Sequence, residues 1–201
     1  MCSYSRNSSW ILTGYAIFQT EIYLSWERQS PACNGIPLGA EIDDRTFKIL
    51  FLDVGLMLNS CGLSMLDLEK AGDVMIVNSG AVAEQAVGQH LLYSQDCYKD
   101  PELYYWVREK KNSEAELDYV ISEGSMIVPI EVKSGKTGRL KSLHQFIHAK
   151  KTGLAVRFNT ETASFTKNTD QMPDGNSVEY SRLSLPLYMA EELRRIINIY
   201  N

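Results

Sequence analysis

Ala115-Glu-Leu-Asp-Tyr-Val-Ile121, the turn Ser122-Glu-Gly-Ser125 and Met126-Ile-Val-Pro-Ile-Glu-Val-Lys133 form the stretch on which the fold of this chain turns. Both outer segments are short and rich in β-branched and aromatic residues, and a Gly-containing turn separates them, so they predict two adjacent strands. Strand side chains alternate faces with period two. That period puts Glu116 and Asp118 on one face of the first strand, with Leu117 and Tyr119 on the other. It puts Glu131 and Lys133 on one face of the second, opposite Ile130 and Val132.

The pattern extends outward from this pair. Upstream, Leu103-Tyr-Tyr-Trp-Val-Arg108 reads as a strand joined to Ala115–Ile121 through the polar turn Lys110-Lys-Asn-Ser113, which makes a three-strand meander. Before it, Ser79 is a good N-cap residue and Ala81–Tyr93 reads as a helix. Glu84 lies on that helix with Val87, Gly88 and Leu91 at spacings of three, four and seven, so it borders the inward face. Downstream, Leu140, Leu143, Phe146 and Ile147 recur at helical spacing through Lys150, and Gly153-Leu-Ala-Val-Arg-Phe158 reads as a strand. Leu183–Tyr188 and a helix over Ala190–Tyr200, with Leu193, Ile196, Ile197 and Tyr200 as its apolar stripe, complete the packing. The order helix, three strands, helix, strand predicts an α/β domain over 46–201. Within it Phe47–Leu52 reads as a strand, the segment from Asp53 as a helix that stops near Gly62, and Leu66–Lys70 as a further helical turn. Residues 1–45 form an N-terminal segment with the short apolar runs Trp10–Leu12 and Ile22–Leu24, and the Pro/Gly/Asn loop Ser30–Pro37 is the candidate boundary.

Composition narrows the function classes. A chain of 201 residues suffices for one well-cored domain, and a net charge of -5 excludes a wholly basic nucleic-acid binder. The charge is unevenly spread. Lys133, Lys136, Arg139, Lys141, Lys150, Lys151, Arg157 and Lys167 fall in one stretch against the single acid Glu161, which suits either phosphate attraction or a solvated helix face. Cys2, Cys33, Cys61 and Cys97 lack zinc-site spacing and read as reduced thiols. With no apolar run near the ~20 residues a membrane helix needs and no signal-like start, a cytoplasmic protein without membrane attachment is expected.

The chemistry follows from carboxylates set side by side. Alone, a Glu-x-Lys pair on a strand reads as a surface salt-bridge ladder, and a helix Glu near an N-terminus as a solvated dipole partner. Acids crowded near the centre of a sheet instead repel one another and lose hydration, a cost that a divalent cation relieves. In that reading Asp118 and Glu131, with Glu84 as an added ligand, hold Mg²⁺ or Mn²⁺ against a phosphodiester, and Lys133 positions water or steadies charge on phosphorus.

Glu84, then Asp118, then Glu131-Val-Lys133, spread over helix, strand and strand, resembles the PD-(D/E)xK nuclease superfamily pattern. Leu103-Tyr-Tyr-Trp106, Ser113-Glu-Ala-Glu-Leu-Asp118, Ile130-Glu-Val-Lys-Ser-Gly-Lys136 and Arg139-Leu-Lys-Ser-Leu-His-Gln-Phe146 are similar to the nuclease-like domain found C-terminal to many prokaryotic AAA-type ATPases. Phe51-Leu-Asp-Val-Gly-Leu-Met57 is similar to that domain's earlier segment. The resemblance implies a restriction-endonuclease-like core, a mixed central sheet flanked by helices, with Glu84, Asp118, Glu131 and Lys133 at active-site positions. Gln145 matches a position that approaches the active site in related nucleases. Leu117 stands where the superfamily name has Pro, and Ala149 where RecB-like relatives have Tyr. The implied function is Mg²⁺-dependent (or Mn²⁺-dependent) hydrolysis of nucleic acid, DNA in particular, next to a partner ATPase or a missing ATPase domain. The alternative is a noncatalytic nucleic-acid-binding or protein-interaction module of such an ATPase. Gly135-Lys-Thr137 is no nucleotide loop, because Ile130 occupies the place of its first Gly.

Two weaker signals remain. His144 and His148 are one helical turn apart, which suits a metal, but they lack a third ligand and read better as solvated. Tyr104, Tyr105 and Trp106 suit base stacking, yet aromatics in a strand are more often core residues.

Overall fold

In a computed structural model the chain is described at residues 4–5, 24–29, 33–42, 46–62, 79–99, 101–108, 115–135, 140–171, 175 and 177–200. The expected helical turn at Leu66–Lys70, the run Trp10–Leu12, the turn Lys110–Ser113 and the basic residues Lys136 and Arg139 lie outside those residues. The described strands are β1 (Tyr4–Ser5), β2 (Leu24–Gln29), β3 (Thr46–Phe51), β4 (Tyr104–Arg108), β5 (Ala115–Glu123), β6 (Met126–Val132), β7 (Leu154–Asn159), β8 (Ser164–Gln171) and β9 (Ser177–Pro186). The helices are α1 (Val54–Ser60), α2 (Ser79–Tyr93), α3 (Lys141–Lys150) and α4 (Leu193–Tyr200), with 3₁₀ turns at Leu38–Glu41 and Leu187–Glu192.

The deciding hairpin forms as read. Glu123 pairs with Met126 across a two-residue turn whose first residue, Gly124, has φ +57°, a conformation that costs glycine little. β4, β5 and β6 make the antiparallel meander. β6 and β7 are parallel, which requires a crossover, and α3 supplies it. Pro129 sits in a central strand, where its missing N–H would normally cost a bond, but it falls one residue before the β6–β7 ladder begins at Ile130.

The described strands form a single sheet in the order β1-β3-β2-β4-β5-β6-β7-β9-β8. The β2–β4, β6–β7 and β7–β9 pairs are parallel and the others antiparallel, so the sheet is mixed. Helices cover both faces. On one face α2 and α4 pack Val87, Leu91, Leu193 and Ile197 against Ile121, Ile130 and Val156. On the other, Leu143, Phe146 and Ile147 of α3 cover Trp106, Leu117 and Val120, with the Trp106 and Phe146 rings edge to face at 5.2 Å. The α/β class expected from the element order is the class observed. β2, from the N-terminal segment, pairs with both β3 and β4 and so belongs to this same sheet.

Helix ends follow local chemistry. Asp53 caps α1 by accepting the Leu56 N–H at 3.1 Å, and Gly62, at φ +75°, follows its end. The α4 stripe is buried at Leu193, Ile196 and Ile197, while Tyr200, half-exposed, stacks on Phe165 of β8 at 4.5 Å.

The closest approach in the core lies between α2 and β5. Tyr119 passes beneath Gly88, and its hydroxyl donates to the Glu84 carbonyl at 2.7 Å. A Cβ on Gly88 would stand 2.3 Å from that hydroxyl oxygen and 2.8 Å from Leu50 Cδ1. Tyr119 and Leu50 are both fully buried and cannot give way. Gly88→Ala gains up to ~1 kcal/mol of helix propensity but overpacks the core and displaces the Tyr119 hydrogen bond, at about 1–3 kcal/mol or more. A net loss of stability is expected, read as a lower urea midpoint, and an unchanged or raised midpoint would contradict this packing.

Candidate functional site

The site lies where the β5–β6 ladder opens. Pairing of these strands runs from Glu123 and Met126 to Tyr119 and Ile130 and stops there. β6 continues beside β7 through Val132 and Phe158, and the Lys133 N–H donates to the Phe158 carbonyl at 2.8 Å. Asp118 bridges the opening, its Oδ2 accepting the Val132 N–H at 2.7 Å in place of a backbone partner. The crease therefore holds Asp118 on one wall and Glu131 with Lys133 on the other.

A register shift aims Asp118. β4 advances from Tyr104 to Trp106 while β5 steps from Val120 to Leu117, so β5 carries one extra residue at Asp118–Tyr119. This corrects the simple alternation expected from the sequence. Leu117 joins Val120 and Phe146 in the α3-side core, whereas Tyr119 joins Ile121 and Val87 in the α2-side core, so Leu117 and Tyr119 do not share a face. The bulge is the physical reason, since one inserted residue reverses the parity of everything beyond it. On β6 the expectation holds: Ile130 and Val132 are buried together on the α2 side, and Glu131 is ion-paired with Lys133.

Helix α2 brings Glu84 to the crease. Gln85 fixes the helix to β3 by accepting the Phe51 N–H at 3.0 Å and donating to the Phe51 carbonyl at 2.7 Å. At the N-terminal end of the helix Ser79 Oγ donates to Ser134 Oγ at 3.1 Å, tying it to the segment after Lys133. The Glu84 side chain is only 15% exposed, as its place beside the inward face predicts. Its Oε1 accepts from Lys48 Nζ at 2.9 Å, and the same ammonium lies 2.5 Å from Glu116 Oε1 and 4.9 Å from the centre of the Tyr105 ring. Lys48 is buried and was not among the residues singled out from the sequence. A signal was present: it is a lysine inside the apolar strand Phe47-Lys-Ile-Leu-Phe51.

Burial and crowding set the electrostatics. Asp118 is pushed up to about 7, first by desolvation and then by the negative charges of Glu84 and Glu131, with Lys48 and the Val132 N–H opposing. Desolvation also raises Glu131, against the pull of Lys133. Glu131 Oε1 receives the Lys133 ammonium, while its Oε2 is buried with no hydrogen-bond partner. An acceptor left bare inside a protein costs on the order of 1–3 kcal/mol unless something donates to it or binds it.

Gln145 is half-buried on α3 with its Oε1 lacking a partner. His144 does not pair with His148; its Nδ1 lies 3.4 Å from Asp170 Oδ2 and its Nε2 3.3 Å from the Tyr180 hydroxyl. Tyr104, Tyr105 and Trp106 are all buried, as the core reading holds. Of the described basic residues, Lys141 begins α3 and Lys151 caps its end, Lys150 at its last position donates to Asn34 at 2.8 Å, Lys167 lies on β8, and Arg157 is buried beside Glu131 in the β6–β7 register. Among the described residues no three His, Cys, Asp or Glu side chains are gathered to hold a metal ion, and no helix is long and apolar enough to cross a membrane.

A protein-family model described as "Domain of unknown function (DUF4143)" matches residues 79–183, more than half of the chain, and that span contains Glu84, Asp118, Glu131, Lys133 and Gln145. No curated protein and no solved structure matches the chain.

Proposed function

We propose that this chain, which belongs to the DUF4143 family, is a divalent-cation-dependent nuclease of restriction-endonuclease-like architecture that hydrolyses phosphodiester bonds, with DNA as its substrate. The observation that carries the reading is the strand opening at which Asp118, Glu131 and Lys133 converge, with Glu131 Oε2 buried and bare. A charged, desolvated acid pair is costly for a scaffold and useful for binding a cation.

The donor set fits a hard cation in its chemistry. Asp118 and Glu131 offer oxygen ligands, and Mg²⁺ is commonly held by one or two carboxylates while water and phosphate oxygens complete its shell. Glu84 Oε1 is held by Lys48, whereas Glu131 keeps its Oε2 bare beside Asp118, so Asp118 and Glu131 are the residues that would hold the ion. When bound, the ion supplies Lewis-acid polarisation of the phosphate and lowers the pKa of a coordinated water. The chain's own residues do the rest. Lys133, 28% exposed at its side chain, steadies charge building on the phosphate oxygens. The oxygen of water bonds to phosphorus, the ester P–O bond breaks, the water gives up a proton and the leaving oxygen gains one.

A second reading has its own support. The acids are compensated internally by Lys48 and Lys133, which suits a noncatalytic nucleic-acid-binding or protein-interaction module of a partner AAA-type ATPase. One experiment separates the two: incubation of the EDTA-stripped protein with single- and double-stranded DNA, with and without Mg²⁺ or Mn²⁺. Cation-dependent cleavage that EDTA stops is expected. DNA binding with no cleavage under any of these conditions would favour the module.

A further inference from the structure

The buried ammonium of Lys48 has a role that the nuclease reading leaves open. A lysine at 3% exposure must have its charge compensated, and Lys48 is held from two elements, by Glu84 of α2 and Glu116 of β5, over the ring of Tyr105. The acids near the crease thus fall into two sets. Glu84 and Glu116 surround Lys48, while Asp118 and Glu131 stand at the strand opening, with Lys133 on one oxygen of Glu131.

We propose that Lys48 is a fixed internal cation that fills the Glu84–Glu116 half of the acidic crease, locks α2 against the sheet, and limits the site to one divalent ion at Asp118 and Glu131. The inference rests on the nuclease reading for the second seat, but not for the first. A tethered ammonium brings positive charge without coordination, so it occupies a cation seat permanently and cannot be chelated away. Lys48 is a positioning residue here: it acts through Glu84 and α2, not on the substrate. Replacing it with methionine keeps the length and apolar stem of the side chain while emptying the seat between two carboxylates.

Mn²⁺ binding to the full, EDTA-stripped chain, followed by the loss of the free-ion electron paramagnetic resonance signal, tests this without an activity assay. One ion per chain is expected for the wild type and for Lys48→Arg, two for Lys48→Met, and one again for Lys48→Met combined with Glu84→Gln. Two ions on the wild type, or one on Lys48→Met, would overturn the proposal. A wild type that binds none removes the seat assigned to Asp118 and Glu131, and with it the metal-dependent reading. The fixed-cation role then stands if Lys48→Met gains one ion and falls if it gains none. Should Lys48→Met lose its native circular dichroism in EDTA, millimolar Mn²⁺ is expected to restore it, and failure to do so counts against Lys48 as a cation substitute.

Discussion

Lys133→Ala is expected to lower the rate of cation-dependent DNA cleavage by about 10³-fold while leaving Mn²⁺ binding and the fold intact. The fold survives because β6 is held to β7 by backbone bonds that reach the Lys133 N–H itself, and these do not need its side chain. Cation binding survives because the substitution takes away a positive competitor for Glu131 and no ligand oxygen. The loss falls on the transition state, where charge accumulates on the phosphate oxygens and a donor of fixed position is worth ~3–4 kcal/mol. It should therefore appear in kcat rather than KM. Lys133→Arg keeps the charge but spreads it over a planar fork of different reach, so only partial recovery is expected. Equal cleavage by wild type and Lys133→Ala would remove the lysine from the mechanism. A fall in Mn²⁺ affinity that matched the fall in rate would reassign it to shaping the cation seat.

The element order was legible because its periodicities are strong and local. Val87 and Leu91 on α2, Leu143 and Ile147 on α3, and the alternating run of β6 each announce one face, and each face is buried where expected. The site was legible as residue types at intervals, and Asp118, Glu131 and Lys133 are brought to one crease. What escaped depends on pairing between distant segments. The β5 bulge comes from its register against β4, which no local period encodes, and it separates Leu117 from Tyr119. Lys48 is distant in sequence from Glu84 and Glu116 and meets them only once β3, α2 and β5 have packed. β8 escaped for a different reason. Ser164-Phe-Thr-Lys-Asn-Thr-Asp-Gln171 is an edge strand with little apolar content, ordered by its ladder with β9. The partner of Glu84 escaped in the same way, because local pattern identifies an acid near the inward face but not the lysine opposite it.

Without divalent cations the protein is expected to lose stability as the pH rises from about 4 to about 7, and Asp118→Asn to abolish most of that loss. The sign follows from Asp118, whose carboxyl is raised to about 7 in the folded chain by burial and by the charges of Glu84 and Glu131, against about 3.9 when unfolded. Between those values the native state holds a proton that the unfolded state has released, so unfolding is favoured as the pH climbs. The contribution is complete below the unfolded pKa, is spent by the time the pH passes the folded one, and amounts to at most about 4 kcal/mol. Asparagine preserves the acceptor for the Val132 N–H and carries no charge, so the variant should be the more stable protein at pH 8. Glu84 and Glu131 interact with Asp118, so the difference reports the buried carboxylates as a set, while titrating groups remote from them are common to both proteins. Urea midpoints from pH 5 to 8 in EDTA give the comparison, and parallel curves would show that Asp118 is not the group responsible. Mn²⁺ carries the comparison back to function. If the ion binds Asp118 and Glu131, it should flatten the wild-type curve by compensating the ionised pair, and leave the Asp118→Asn curve unmoved. A scaffold whose acids only pair with its own lysines would show no such difference, so a stability measurement distinguishes a cation site from a structural charge cluster before any nucleic acid is added.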